Sequence, residues 1–66
     1  MKIIVNGKEI SLPKGSNIQN LVAELGFTNK RIAIEVNEEI IPKSKHQSYL
    51  LKSLDKIEVI NAVGGG

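Results

Sequence analysis

Cysteine is absent from the 66 residues. That excludes a disulfide framework, a thiolate nucleophile and a cysteine-based zinc site. Tryptophan is absent too, and the aromatic residues are Phe27 and Tyr49 alone. Binders of single-stranded nucleic acid stack bases on aromatics over clustered cations. Here 9 basic residues against 7 acidic ones leave a net charge of +2, and the lysines are scattered. Nucleic acid is therefore not an expected partner. Histidine occurs once, at His46. One histidine without an identified companion supports neither a metal site nor a catalytic triad, so no metal is expected and His46 reads as a surface residue. Long apolar runs are missing as well. The stretch Met1-Lys2-Ile3-Ile4-Val5-Asn6-Gly7 is too short for a signal peptide or a membrane span. No membrane association is expected, and the cytoplasm is the expected compartment. A chain of this length buries only about 60% of its unfolded surface. A helix and several strands fit, whereas an enclosed enzyme cleft does not.

What the sequence does have is a concentrated ending, Asn61-Ala62-Val63-Gly64-Gly65-Gly66. Glycine makes up about 7% of average composition, so three in succession at one place call for an explanation. A construction scar or frayed end is the plain one. The other is that the terminal carboxylate is the working group and the glycines are its arm. A carboxylate is a poor electrophile and must be activated, as an acyl-phosphate or acyl-adenylate, by another protein. Glycine lets the backbone approach a nucleotide closely, because it has no Cβ. From Asn61 to Gly66 an extended chain reaches roughly 17 Å, enough to enter a partner's cleft. The expected division is a globular domain over 1–61 and a flexible tail over 62–66.

Along the chain, Lys2–Val5 is β-branched and Ile10 and Leu12 alternate with polar residues. Asn6-Gly7 between them is a strong hairpin signal, since both turn residues need φ > 0. Pro13-Lys14-Gly15 ends the second strand. Asn17, or Ser16, can cap a helix whose stripe is Ile18, Leu21, Val22 and Leu25. Gly26 fits the left-handed position after that helix, with Phe27 packing back. Lys30 and Arg31 lie in a polar loop. Ile32, Ile34 and Val36 share one face of a strand, Asn37-Glu38-Glu39 turns, and Ile40-Ile41-Pro42 follows. Glu38 and Glu39, neighbours in a turn without a nearby His or Cys, read as solvated rather than as an acid/base pair. Lys43–Ser48 is polar and irregular, Tyr49-Leu50-Leu51 is a short strand or a covering segment, and Lys52–Asp55 turns into a last strand around Ile57 and Val59. A hairpin, a helix and then further strands place the last strand parallel to the first. That arrangement is an α+β β-grasp, a mixed sheet of four to five strands on one main helix. Period-2 alternation then turns Ile60, Ala33 and Glu35 outward, where they form a candidate docking surface.

The whole chain resembles the ubiquitin-like sulfur carriers, and within them the ThiS family of thiamine biosynthesis. The residues that carry the likeness are Ile34 through Pro42, Leu51 with Asp55-Lys56-Ile57-Glu58-Val59, and Ala62-Val63-Gly64-Gly65-Gly66. The sequence departs from the common family pattern at Ser53-Leu54-Asp55, where Asp-Gly-Asp is usual, and at His46, where a tryptophan is usual. The resemblance implies a carrier, not an enzyme. A ThiF-like adenylating enzyme would use ATP on Gly66, a cysteine desulfurase would be the source of sulfur, and a ThiG-like thiazole synthase would consume the terminal thiocarboxylate. Gly64 and Gly65, with Val63, would thread the partner's active site, and the chain itself would bind no cofactor. Molybdopterin-synthase sulfur carriers are the nearest alternative, but they tend to enter their Gly-Gly through a proline, which Asn61-Ala62-Val63 lacks. A protein modifier conjugated through Gly66 is the alternative from another class, and a plain β-grasp binding module with an idle tail is the third.

Overall fold

The computed structural model describes residues 1–28 and 30–61. Strands β1 (Lys2–Val5) and β2 (Lys8–Ser11) form an antiparallel hairpin. Helix α1 (Ile18–Glu24) follows, then β3 (Ile32–Val36) and β4 (Glu39–Ile41), a 3-10 turn at Lys43–Lys45, and β5 (Lys56–Asn61). The sheet order is β2-β1-β5-β3-β4, with β1 and β5 parallel and the other pairs antiparallel. This is the β-grasp expected from the order of elements. The last strand lies in the middle of the sheet.

Local chemistry accounts for each boundary. Asn6 and Gly7 sit at φ 49° and 82°, the left-handed pair that a two-residue hairpin turn requires. Asn17 caps α1 reciprocally: its side chain accepts from Asn20 N at 2.7 Å, and Asn20 Oδ1 accepts from Asn17 N at 2.9 Å. At the other end Gly26 takes φ 77°. There Phe27 N donates to Val22 O at 2.9 Å and Gly26 N to Ala23 O at 3.1 Å, the paired bonds that close a helix over a left-handed residue.

The core lies between α1 and one face of the sheet. Ile18, Leu21 and Val22 from the helix meet Ile3, Val5, Ile34, Val36, Ile41 and Ile57, with Leu12 and Leu51 closing the ends. Ile10, Leu25 and Val59 are half-buried against this cluster. Leu51 is buried while Leu50 faces out and makes a single bridge to Asn17. The segment before β5 is thus a cover with one bridge.

His46 corrects the sequence reading. It is 4% exposed, not a surface residue. Its Nε2 lies 3.1 Å from Ile41 O. A carbonyl can only accept, so Nε2 carries the hydrogen and donates. Gln19 N in turn donates to His46 O at 3.3 Å, which ties the first turn of α1 to this segment. The polar run around it hid a side chain that fills the gap beside the edge strand β4.

Candidate functional site

The site grows from the end of β5. Its register with β3 pairs Glu58 with Glu35, Ile60 with Ala33, and Asn61 with Ile32. On the opposite edge β1 stops at Val5, and the Asn6 side chain continues its ladder. Val59 N donates to Asn6 Oδ1 at 2.8 Å, and Asn6 Nδ2 donates to Val59 O at 3.4 Å. Past Val59 the pairing registers hold β5 to β3 alone. The strand therefore leaves the sheet from its centre, guided on one side.

The start of β5 is fixed by a polar lock. Asp55 is buried, and its carboxylate accepts from Lys52 N at 2.8 Å and from Asn37 Nδ2 at 3.0 Å. Asn37 Oδ1 accepts from Lys56 N at 3.0 Å, and Asn37 N donates to Lys56 O at 2.7 Å. The β3–β4 turn and the entry to β5 are thereby one unit. The sequence reading missed this role because both residues look like ordinary turn formers.

The face of the sheet turned away from α1 carries the candidate docking residues. Ile60 is 46% exposed, and Ala33 and Glu35 are half-buried beside it. The structure adds Ile40, 65% exposed and directly opposite Glu35. Glu35 and Glu58 are direct cross-strand neighbours on the same face, so apolar and acidic groups alternate there. Period-2 alternation found Ile60, Ala33 and Glu35. Ile40 needed the β3–β4 register to be placed beside them. Val63, Gly64, Gly65 and Gly66 lie outside the described residues.

A second feature borders the strand end. A groove of about 470 Å³ opens between α1, the Phe27–Ile32 loop and the 3-10 turn. Val22, Phe27 and Ile32 line it together with Lys30, Arg31, Lys43 and His46. Glu38 and Glu39 take no part in it; Glu38 occupies the β3–β4 turn at φ 71° and Glu39 opens β4. No three metal-ligating side chains gather among the described residues. No helix among them is long and apolar enough to cross a membrane.

The five-stranded mixed sheet clasping one helix, with its central strand aimed outward, places the protein in the ubiquitin-like β-grasp class. A solved structure described as the thiamine biosynthesis protein ThiS from Geobacter metallireducens superposes over the whole of both chains, with a TM-score of 0.85 and 25% identity. The model of the ThiS family matches residues 2–66, and the chain belongs to that family. The sulfur carrier protein ThiS of Bacillus subtilis is 38% identical over 63 residues, covering 94% of this chain and 96% of that protein. A thiazole synthase of Paramagnetospirillum magneticum is 35% identical over 66 residues, and a second, from Magnetococcus marinus, is 32% identical. The chain spans only 20% of the length of each of these two.

Proposed function

We propose that this chain is the sulfur carrier of thiamine biosynthesis and holds its sulfur at Gly66. The observation that carries the reading is membership of the ThiS family over residues 2–66, which includes the glycine run. The absence of cysteine supports it, since a sulfur carrier without a thiol must hold sulfur elsewhere. A ThiF-like adenylating enzyme transfers AMP from ATP to the Gly66 carboxylate and releases pyrophosphate. The outer sulfur of a persulfide, which comes ultimately from cysteine through a desulfurase, attacks the acyl-adenylate and expels AMP to give an acyl disulfide. A partner thiol then cleaves that S–S bond, becomes part of a disulfide itself, and releases the thiocarboxylate. A thiazole synthase takes that sulfur. Relatives named thiazole synthase that contain a segment like this chain support that partner. The carrier supplies a narrow arm and a docking face, while adenylation and sulfur transfer belong to the partners.

The experiment is intact-mass analysis after incubation with the adenylating enzyme, ATP and a sulfur donor. The wild type should gain the mass difference between sulfur and oxygen, and fragmentation should place it on Gly66. A variant with one alanine added after Gly66 should keep its thermal midpoint and take up no sulfur. Sulfur uptake by the extended variant equal to wild type, or sulfur mapped away from Gly66, overturns the reading.

A further inference from the structure

The groove beside the strand end has a chemistry that the core does not require. Its floor joins the apolar Val22, Phe27 and Ile32 to the buried His46, and its rim holds the exposed cations Lys30, Arg31 and Lys43. No Asp or Glu among the described residues lines it. Neither lysine forms an ion pair with a described carboxylate, the pair among the described residues being Lys2 with Glu9. Lys30 and Lys43 are like charges at one concavity, and the field they sum to attracts an anionic partner. The groove is also contiguous with the functional end of the molecule, because Ile32 on its floor is the β-sheet partner of Asn61. An enzyme that reaches Asn61 therefore comes close to this rim. The outer sheet face differs, carrying the cross-strand carboxylates Glu35 and Glu58.

From this we infer that the groove seats an acidic segment of the adenylating enzyme, with carboxylates on the Lys30 and Lys43 rim and an apolar side chain on the Val22, Phe27 and Ile32 floor. The inference rests on the function proposed above. The contact gives the encounter one orientation: an acidic surface meets the groove and a surface without excess negative charge meets the sheet. Such rim charges govern association rate and its salt dependence more than the chemical step.

The test is steady-state adenylation, with the carrier as varied substrate and pyrophosphate release as readout. The variant Lys30→Glu/Lys43→Glu changes two exposed positions, so its thermal midpoint should stay close to wild type. Its KM should rise about tenfold or more at low ionic strength with kcat little changed, and the gap should shrink as salt screens the rim. Lys8→Glu/Lys14→Glu alters net charge by the same amount away from the groove and should leave KM within about twofold. Lys30→Arg/Lys43→Arg should behave as wild type. A groove variant with wild-type KM on a carrier that is adenylated normally overturns this inference and leaves the proposed function standing. So does an equal KM rise in the remote variant, which would reduce the effect to net charge. A wild-type chain that is never adenylated overturns both.

Discussion

Leu54 sits at φ 67° with its side chain 67% exposed. A left-handed conformation costs an L-residue roughly 1–2 kcal/mol, and glycine escapes that cost. The exposed side chain recovers little by burial. The position is nevertheless held, because Leu54 N donates to Lys2 O at 2.6 Å and the next residue is the Asp55 of the polar lock. Leu54→Gly should therefore raise stability by about 0.5–1 kcal/mol, less than the full relief because glycine loses more chain entropy on folding. A chemical-denaturation midpoint that falls would show that the Leu54 side chain contributes packing after all. Tyr49 offers a second test at this scale. Burial pushes its phenol above the ordinary value of 10.0, and the Asp55 and Glu39 carboxylates push in the same direction. The folded state thus keeps its proton to higher pH than the unfolded one. That contribution to stability is whole below pH 10 and is lost as pH rises through the folded value. Relative to Tyr49→Phe, the wild type should lose stability as pH rises above about 10. Because Tyr49 is the one tyrosine and tryptophan is absent, ultraviolet titration reads its ionisation directly. A midpoint at or below 10.0 contradicts the assignment.

The helix is the element on which the rest of the core closes. Leu21 is 0% exposed and stands between Ile18 and Val22 on the face turned to the sheet. Leu21→Ala should cost about 2–5 kcal/mol, the usual range for a buried leucine. In a domain of this size that is a large share of the total. A denaturation midpoint that hardly moves would place Leu21 outside the core. This element, like the first hairpin, was legible in the sequence because its signals are local: Asn17 to start, a stripe at helical period, Gly26 to stop, and Asn6-Gly7 for the turn. What stayed illegible carries no signal in residue type or local pattern. His46 looked like solvent because its neighbours are polar, yet it is buried and bonded to Ile41 O. Asn37 and Asp55 looked like turn residues, yet they bond across 18 positions to fix where β5 begins. Glu38 at φ 71° gave no sign of a left-handed turn, since glycine is the residue that announces one. Of the candidate site, alternation placed Ile60, Ala33 and Glu35 on one face, but the groove needed a loop, a helix and a 3-10 turn to come together.

Across the whole molecule, chemistry is split between two surfaces that flank the end of β5. One is the basic groove beside Ile32. The other is the outer sheet face, where exposed Ile60 and Ile40 border the carboxylates of Glu35 and Glu58. Isolated exposed apolar residues are ordinary on protein surfaces. Ile60 is distinguished by its position, one residue before Asn61 on the central strand, where any enzyme that engages the residues beyond must come close. Its side chain points away from the core cluster, so a polar substitution there does not empty a packed site. Ile60→Asp should accordingly stay folded, with a circular dichroism spectrum like wild type. Burying an isoleucine against a partner contributes about 1.5–3 kcal/mol. Loss of that contact, together with a desolvated carboxylate, should weaken binding to the proposed partners, the adenylating enzyme or thiazole synthase, by tenfold or more in Kd, since about 1.4 kcal/mol is tenfold. Ile60→Ala should lie between the two, because it removes apolar area without adding charge. Titration calorimetry with either partner reads all three proteins. A folded Ile60→Asp variant that binds both partners with wild-type affinity would remove the sheet face from the docking surface.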